Sequence, residues 1–369
     1  MRIECRSRGC DFAWLSAVAL SACAFAASAA EIKTSAEPEL SGPLKAAQAA
    51  AGKGDFASAI KLLTAEAEKG DADAANGLGE FMLAGRGGKA TPAAAAKLFQ
   101  QAADKGHSAA AFNLAQLLEQ GAEGVPKDSE KAEFLYRNAA EAGFASAQYR
   151  MGAKLEPSAT RSEDKQAFKD ARIWYEKAAA QKQPEALLAL VRFYDAGLGE
   201  LSADAVRAAN LCIQAAKAGS VIAMNEMGVR YQKGLGLAND NVAAIGWFTL
   251  AAQYHLPAAN INLGHCYEQG NGLMQDYNQA GAHYYEAANM NDPQGQFMLG
   301  RLFENGKGTE VNLVKAYVLY TKAADGKIAD AAERRDAVKI KLSGAQLVEA
   351  EKLIAEKPGE KTAPGGEQK

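Results

Sequence analysis

The residues best suited to chemistry lie close together between positions 263 and 288. This stretch of 26 residues, LGHCYEQGNGLMQDYNQAGAHYYEAA, contains His265, Cys266 and His283, with Met274 and Asp276 between them. Imidazole and thiolate groups are preferred ligands of zinc and other transition metals. Their spacing here raises the question of whether the chain holds a metal or redox site.

The same stretch recurs along the chain, and this changes how its residues are interpreted. A pair of alanines returns every 36 to 39 residues, and another alanine stands seven residues before each pair. The seven pairs begin at Ala102, Ala139, Ala178, Ala215, Ala251, Ala287 and Ala323. The earlier alanines are Ala95, Ala132, Ala171, Ala208, Ala244, Ala280 and Ala316. A fixed period of this length indicates a repeat architecture.

Each unit predicts two helices joined by a glycine-containing turn. Helix A carries a Leu-Gly-like pair and an aromatic residue and ends at Gly-x-Gly, as in the segment 263–272. Helix B carries the alanines, which fall on one face and let helices approach closely. A glycine after helix A would supply a left-handed helix end. A degenerate eighth unit precedes these seven, with Ala59 in the position of Ala95.

The pattern A-x-x-x-L-G-x-x-Y-x-x-G-x-G, followed by A-x-x-W/L-Y-x-x-A-A, resembles the Sel1-like repeat, a relative of the tetratricopeptide repeat (TPR). The resemblance covers about residues 44–340. It implies an all-α, right-handed α-solenoid of about eight Sel1-like, TPR-like helix-turn-helix repeats. We expect the solenoid and its C-terminal capping helices at 43–356, a linker at 31–42 and a disordered tail at 357–369.

The N-terminus predicts export from the cytoplasm. Three arginines precede the apolar run 12–25, and small residues follow at 27–30, which is typical of a signal peptide covering residues 1–30. The segment 20–23 also matches a bacterial lipobox, in which Cys23 would be lipidated. We therefore expect a periplasmic or secreted protein, and an outer-membrane lipoprotein anchored through Cys23 remains an alternative.

The repeat columns argue against a chemical site. His283 stands where other units have leucine or tryptophan, Cys212 fills an aromatic column, and Cys266 shares its column with residues that are not ligands. Ser162 and Lys165 match the Ser-x-x-Lys motif of penicillin-interacting enzymes, but the companion Ser-Asp-Asn and Lys-Thr-Gly motifs are missing. A net charge of −3 argues against nucleic-acid binding. We predict a non-enzymatic protein without catalytic, cofactor-binding or metal-binding residues.

A partner-binding face is predicted on helix A. Counting from the Leu-Gly glycine as zero, positions −3, +1 and +4 share one stripe, and the TPR resemblance implies that helix A lines the concave face. These positions vary between units while the alanine columns do not. The residues predicted to contact a protein or peptide partner are Asn76, Phe112, Gln116, Glu119, Tyr149, Arg192, Asp195, Asn225, His265, Glu268, Phe297, Arg301 and Glu304.

These patterns together favour a scaffold or adaptor in cell-envelope assembly or secretion. Two other functions stay open. One is a hydrolase acting on a β-lactam or cell-wall substrate, and the other is a structural outer-membrane lipoprotein of an export apparatus. The sequence does not indicate an oligomeric state.

The N-terminal patterns generate a first prediction. We expect cleavage after residue 30, so that the mature chain begins at Glu31 and carries no lipid, and Cys23→Ala leaves its size and location unchanged. N-terminal sequencing and metabolic labelling with an alkyne fatty acid measure this. Lipid incorporation into the wild type that disappears in Cys23→Ala would establish the anchored form instead.

Overall fold

The computed structural model describes residues 42–156 and 164–355, and in these ranges it contains helices and turns but no strand. The predicted signal peptide, Cys23, Ser162 and the predicted tail lie outside the described residues. The helices are α1 (Gly42–Gly52), α2 (Phe56–Glu68), α3 (Ala72–Leu83), α4 (Pro92–Ala103), α5 (Ser108–Gln120), α6 (Ser129–Glu141), α7 (Ala145–Leu155), α8 (Lys165–Ala180), α9 (Pro184–Ala196), α10 (Ala205–Lys217), α11 (Val221–Lys233), α12 (Asn241–Gln253), α13 (Pro257–Gln269), α14 (Tyr277–Asn289), α15 (Pro293–Asn305), α16 (Leu313–Asp325), α17 (Ala331–Lys339) and α18 (Gly344–Ala355).

The chain forms two compact units, Met1–Ser220 and Val221–Lys369. In the first unit, α1 to α10 pack each against the next along the chain. In the second unit, α11 to α17 do the same, and α18 packs on α16. The odd-numbered helices from α3 to α15 are the A helices of repeats 1 to 7, and the even-numbered helices from α4 to α16 are their B helices. The helix pair α1–α2 precedes repeat 1.

Short polar residues and glycines set the ends of these helices. Asp128, Asp204 and Asn312 each accept a hydrogen bond from the backbone N–H three residues later, which begins a helix B. Gly197 and Gly270 end α9 and α13 in the left-handed conformation, where a side chain would be strained. The predicted alternation of helix A and helix B is therefore confirmed, with a glycine turn between the two helices in repeats 1, 2 and 4 to 7.

The alanine columns form the centre of each repeat. The first alanine of each pair, and the alanine seven residues before it, are at most 1% exposed in all seven repeats. A ring from helix B then lies against the glycine of helix A, as Phe99 does on Gly79 and Tyr175 on Gly152. A Cβ on Gly79 would lie 2.6 Å from the Phe99 ring, so the two helices are already at contact distance.

The second glycine of the Gly-x-Gly turn has a role that the sequence did not reveal. Gly272 has a φ of +77°, and a Cβ there would lie 2.7 Å from Cβ and 2.8 Å from the backbone carbon of Asn241. Asn241 is the first residue of α12, the B helix of the preceding repeat. The turn therefore not only ends helix A but also contacts the neighbouring repeat through its backbone.

The predicted all-α fold of repeated helix-turn-helix units is confirmed. Within the described residues, the structure contains no helix with both the length and the apolar character that a membrane span requires.

The close contact between glycine and ring generates the second prediction. Gly264→Ala places a methyl inside the contact distance of the Tyr284 ring, so it should reduce the free energy of unfolding by about 1–3 kcal/mol. Gly246→Ala is a matched control in a neighbouring helix, where a Cβ has no atom within 4 Å. It should stabilise by about 0.5–1 kcal/mol because glycine disfavours helix. Urea unfolding followed by circular dichroism measures both, and equal effects would contradict the packing.

Candidate partner-binding face

The predicted stripe on helix A contains both exposed and packed side chains. Gln116, Arg192 and Asp195 are exposed, and the other predicted residues are half-buried except for Phe297. Phe297 is 8% exposed and belongs to the core of the second unit. The thirteen predicted residues are therefore not equally available to a partner.

The aromatic side chains at position −3 pack inside the repeats. The ring of Phe112 lies 5.5 Å from that of Tyr136 and 5.4 Å from that of Phe144, measured between centroids. Tyr149 lies 5.8 Å from Tyr175 in the same way. Contacts of this kind stabilise the fold, so replacing these rings would weaken folding as well as any partner contact.

The glutamates at position +4 are already engaged within the chain. Glu119 accepts a hydrogen bond from the Tyr136 hydroxyl at 3.1 Å and forms an ion pair with Arg150 at 2.6 Å. Tyr136 belongs to helix B of the same repeat, and Arg150 belongs to helix A of the next. Each such Tyr–Glu–Arg bridge therefore joins three helices and two successive repeats.

Three further Tyr–Glu–Arg bridges have the same construction. The Tyr175 hydroxyl donates to Glu156 at 2.8 Å, and Arg192 pairs with that carboxylate at 2.8 Å. In the second unit, Glu268 is held by Tyr284 at 2.8 Å and Arg301 at 3.6 Å, and Glu304 by Tyr320 at 2.7 Å and Arg334 at 3.1 Å. Arg334 comes from α17, so the last bridge joins repeat 7 to the capping helices.

These bridges follow a rule that is visible in the sequence. Position +4 is glutamate in the four repeats whose helix B carries a tyrosine, namely repeats 2, 3, 6 and 7. Repeats 1, 4 and 5 have Leu83, Asp195 and Gln232 at this position, opposite side chains that lack a hydroxyl: Phe99, Cys212 and Phe248. The tyrosine and glutamate columns thus vary together across the seven repeats, and this correlation is the sequence signal that predicts the bridges.

Burial and hydrogen bonding set the charge states of the bridges. Burial raises the pKa of Glu156, but hydrogen bonds from Arg192 and Tyr175 outweigh it and bring the pKa below its usual value. The pKa of Glu119 is lowered in the same way, against burial, by Arg150 and Tyr136. Burial and the neighbouring carboxylate raise the pKa of the Tyr136 phenol, so the hydroxyl stays a donor.

The histidines and the cysteine of segment 263–288 make packing contacts and hydrogen bonds within the fold. The Tyr284 hydroxyl donates its proton to Glu268, so Nδ1 of His265, 3.0 Å away, donates to the phenol oxygen. His283 stacks on Tyr267 with ring centroids 5.5 Å apart. Cys266 is 1% exposed, and burial raises the pKa of its thiol to about 11. A thiol in that state is a poor nucleophile and ligand.

Neither the predicted face nor the rest of the described chain gathers a metal-ligand set. Residues 42–156 and 164–355 contain no group of three or more His, Cys, Asp or Glu side chains placed to hold an ion. Two asparagines of the predicted face instead connect repeats. Asn76 accepts a hydrogen bond from Asn113 at 3.0 Å, and Asn225 accepts one from Asn262 at 2.9 Å.

The bridge glutamates generate the third prediction, a pH dependence. The folded-state pKa values of Glu119 and Glu156 lie below the unfolded value of 4.5, so the stabilisation from these two carboxylates is complete above that value and is lost as pH falls through the folded pKa. Between about pH 5 and pH 3 the wild type should therefore lose more unfolding free energy than the double variant Glu119→Gln, Glu156→Gln. Urea titrations at each pH measure this, and parallel curves would show that the bridges contribute nothing.

Comparison with known proteins agrees with this architecture. The family model of the Sel1 repeat matches residues 72–107, 108–144, 145–182, 185–220, 221–253, 257–292 and 293–327. A search of curated proteins finds no match.

Two solved structures are similar to the chain. A protective antigen of uropathogenic Escherichia coli that displays an SLR fold is 27% identical with a TM-score of 0.68, over 85% of this chain and 67% of that one. A Sel1 repeat protein from Oxalobacter formigenes is 26% identical with a TM-score of 0.59, over 89% of this chain and 92% of that one. Seven matched repeats, with helix boundaries that follow them, show that the chain belongs to the Sel1 repeat family.

Proposed function

We propose that this chain is an exported, non-enzymatic scaffold that binds a protein or peptide partner along the face of its A helices. Sel1 repeats generally mediate protein–protein interactions. Export and a role in the cell envelope rest on the signal-like residues 1–30 and on the family resemblance. The proposal extends the general role of the family to one surface and one compartment.

The contrast between the two helix types is the observation that carries the proposal. On B helices the first alanine of each pair and the alanine seven residues before it are invariant and buried in every repeat. On A helices the exposed positions carry different polar side chains from repeat to repeat, among them Gln116 and Asp195. Positions released from packing that still present hydrogen-bonding and charged groups are suited to recognition of a polypeptide.

The state of the reactive side chains supports a non-enzymatic role. Burial lowers the pKa of His265 and His283, so these imidazoles favour their neutral forms while engaged in contacts with neighbouring side chains. Cys266 is a buried thiol with a raised pKa. In the described residues these groups stabilise packing instead of facing a common cavity.

A site-specific crosslinking experiment gives the fourth prediction. The photoreactive amino acid p-benzoylphenylalanine is placed at exposed Gln116 on α5 or at exposed Asn138 on α6, and the full-length variants are irradiated in the native host. We expect a discrete adduct from position 116 and none from position 138, because only the first lies on the A-helix face.

The matched positions make the result decisive. Both belong to repeat 2, and both side chains are exposed, so expression and folding should be alike. Mass spectrometry of the adduct identifies the partner. Adducts from position 138 alone, or from neither position, would contradict binding along the A helices.

A further inference from the structure

A groove lies between α1, α2 and α3 in the first unit. It encloses about 660 Å³ and is lined from all three helices. Leu44 and Ala47 of α1 and Leu63 of α2 form a buried apolar floor, and Phe81 of α3 forms one wall. This volume lies within the range of sites that bind small ligands and peptide side chains.

The wall of the groove that α3 forms is bare at one position, because α3 carries a glycine there. Gly77 lines the cavity and stands at position −2 of repeat 1. Every other repeat has a side chain there: Asn113, Arg150, Ala189, Glu226, Asn262 and Met298. In repeats 2, 3 and 6 this side chain reaches back and bonds to the A helix of the preceding repeat. Repeat 1 has no side chain at this position. The corresponding groove of repeat 2, between α3, α4 and α5, has Asn113 in its lining and is smaller, about 470 Å³.

The fold does not require this glycine. Gly77 lies inside helix α3, where glycine is unfavourable relative to alanine. A Cβ at this position would lie 3.6 Å from the Leu63 side chain, which is an ordinary contact distance. This differs from Gly79 two residues later, which the Phe99 ring excludes from carrying a side chain. The missing side chain at position 77 leaves this wall of the groove bare.

The rim of the groove carries uncompensated negative charge. Glu80 is exposed and accepts hydrogen bonds from the Asn76 and Asn113 amides at 2.9 and 3.1 Å. Asp73 pairs with His107 at 2.9 Å. Among the described residues, neither carboxylate forms an ion pair with lysine or arginine, unlike the four bridge glutamates.

The cation nearest in sequence forms no ion pair with Glu80. Arg86 also lines the groove, but its guanidinium lies over the rings of Phe56 and Phe81, 5.7 and 5.5 Å from their centroids. The Glu80 carboxylate is therefore held in place by two amides while its charge is not neutralised by the protein. A carboxylate beside an apolar floor is complementary to a peptide in which a large apolar residue is adjacent to a basic residue.

We infer that the groove between α1, α2 and α3 binds a polypeptide segment with a large apolar residue adjacent to a lysine or arginine. The apolar side chain occupies the space above Gly77, and the cation pairs with Glu80. This inference rests on the proposed function, since it assigns a chemistry to one section of the A-helix face.

The fifth prediction tests this recognition with a random heptapeptide library displayed on phage and selected against the full chain. Enriched peptides should carry an apolar residue next to lysine or arginine. Gly77→Leu, which fills the groove, should weaken binding of an enriched peptide at least about tenfold by fluorescence polarisation. Gly246→Leu is the matched control on α12 and should bind like the wild type, because its Cβ has no atom within 4 Å.

Two further measurements separate recognition from folding. The urea midpoint of Gly77→Leu should be unchanged or higher than that of the wild type, because leucine favours helix over glycine. Gly77→Ala serves as the smaller variant if the leucine is not accommodated. Glu80→Gln should abolish the preference for lysine or arginine while the preference for the apolar residue persists.

The outcomes distinguish this inference from the proposed function. Selection of peptides without the apolar–basic pair, no selection at all, or undiminished binding by Gly77→Leu would overturn the groove assignment. In those cases, crosslinking from position 116 that persists in Gly77→Leu would leave the scaffold function standing. If the wild-type background also gave no adduct from position 116, both the groove assignment and the scaffold function would be contradicted.

Discussion

In most repeats, the close approach of the two helices depends on the contact between a ring of helix B and a nearly bare position on helix A. Gly152 and Gly300 receive Tyr175 and Tyr320 in this way. In repeat 4 the larger side chain is on helix A and the smaller one is on helix B: Val191 replaces the glycine and Cys212 replaces the ring, and both are buried. The quantity that each repeat maintains is thus the combined volume at this contact, as expected of a close-packed interior.

The tyrosine hydroxyl extends this contact into a connection between repeats. Once the ring of Tyr175 is seated on Gly152, its oxygen reaches the carboxylate of Glu156, and an arginine of the next repeat completes the group. The carboxylate is partly withdrawn from water and is held by donors from two other helices, so it favours one register of successive repeats. Stability in such a chain is a sum over repeats and their interfaces, and the bridges belong to the interface term in both units.

Much of this fold could be predicted from the sequence because it depends on local periodicity. The alanine columns and the Gly-x-Gly turns predict two helices per repeat, and the structure places these alanines in the core. The predicted face was harder to judge, because exposure depends on the neighbouring helices. Phe297 and Glu268 lie at the predicted positions of helix A. However, Phe297 packs against the ring of Tyr320, and Glu268 is bound by the Tyr284 hydroxyl and by Arg301. Column variation indicates freedom from the alanine core, but it does not separate a solvent-exposed residue from one paired across repeats.

The groove between α1, α2 and α3 is a second feature that the repeat columns of the sequence do not reveal. In the sequence, Gly79 occupies the Leu-Gly column and Gly77 departs from its own column, but the sequence does not show what that departure leaves open. The structure separates them, since Gly79 meets the Phe99 ring while Gly77 faces a cavity. A repeat protein can make room for a partner by omitting one side chain from a column that is filled in the other repeats. The framework tolerates that omission because the ring contact lies at another position of the same helix, Gly79. Functional variation in this fold is therefore best sought where one repeat departs from the column while its ring contact stays intact.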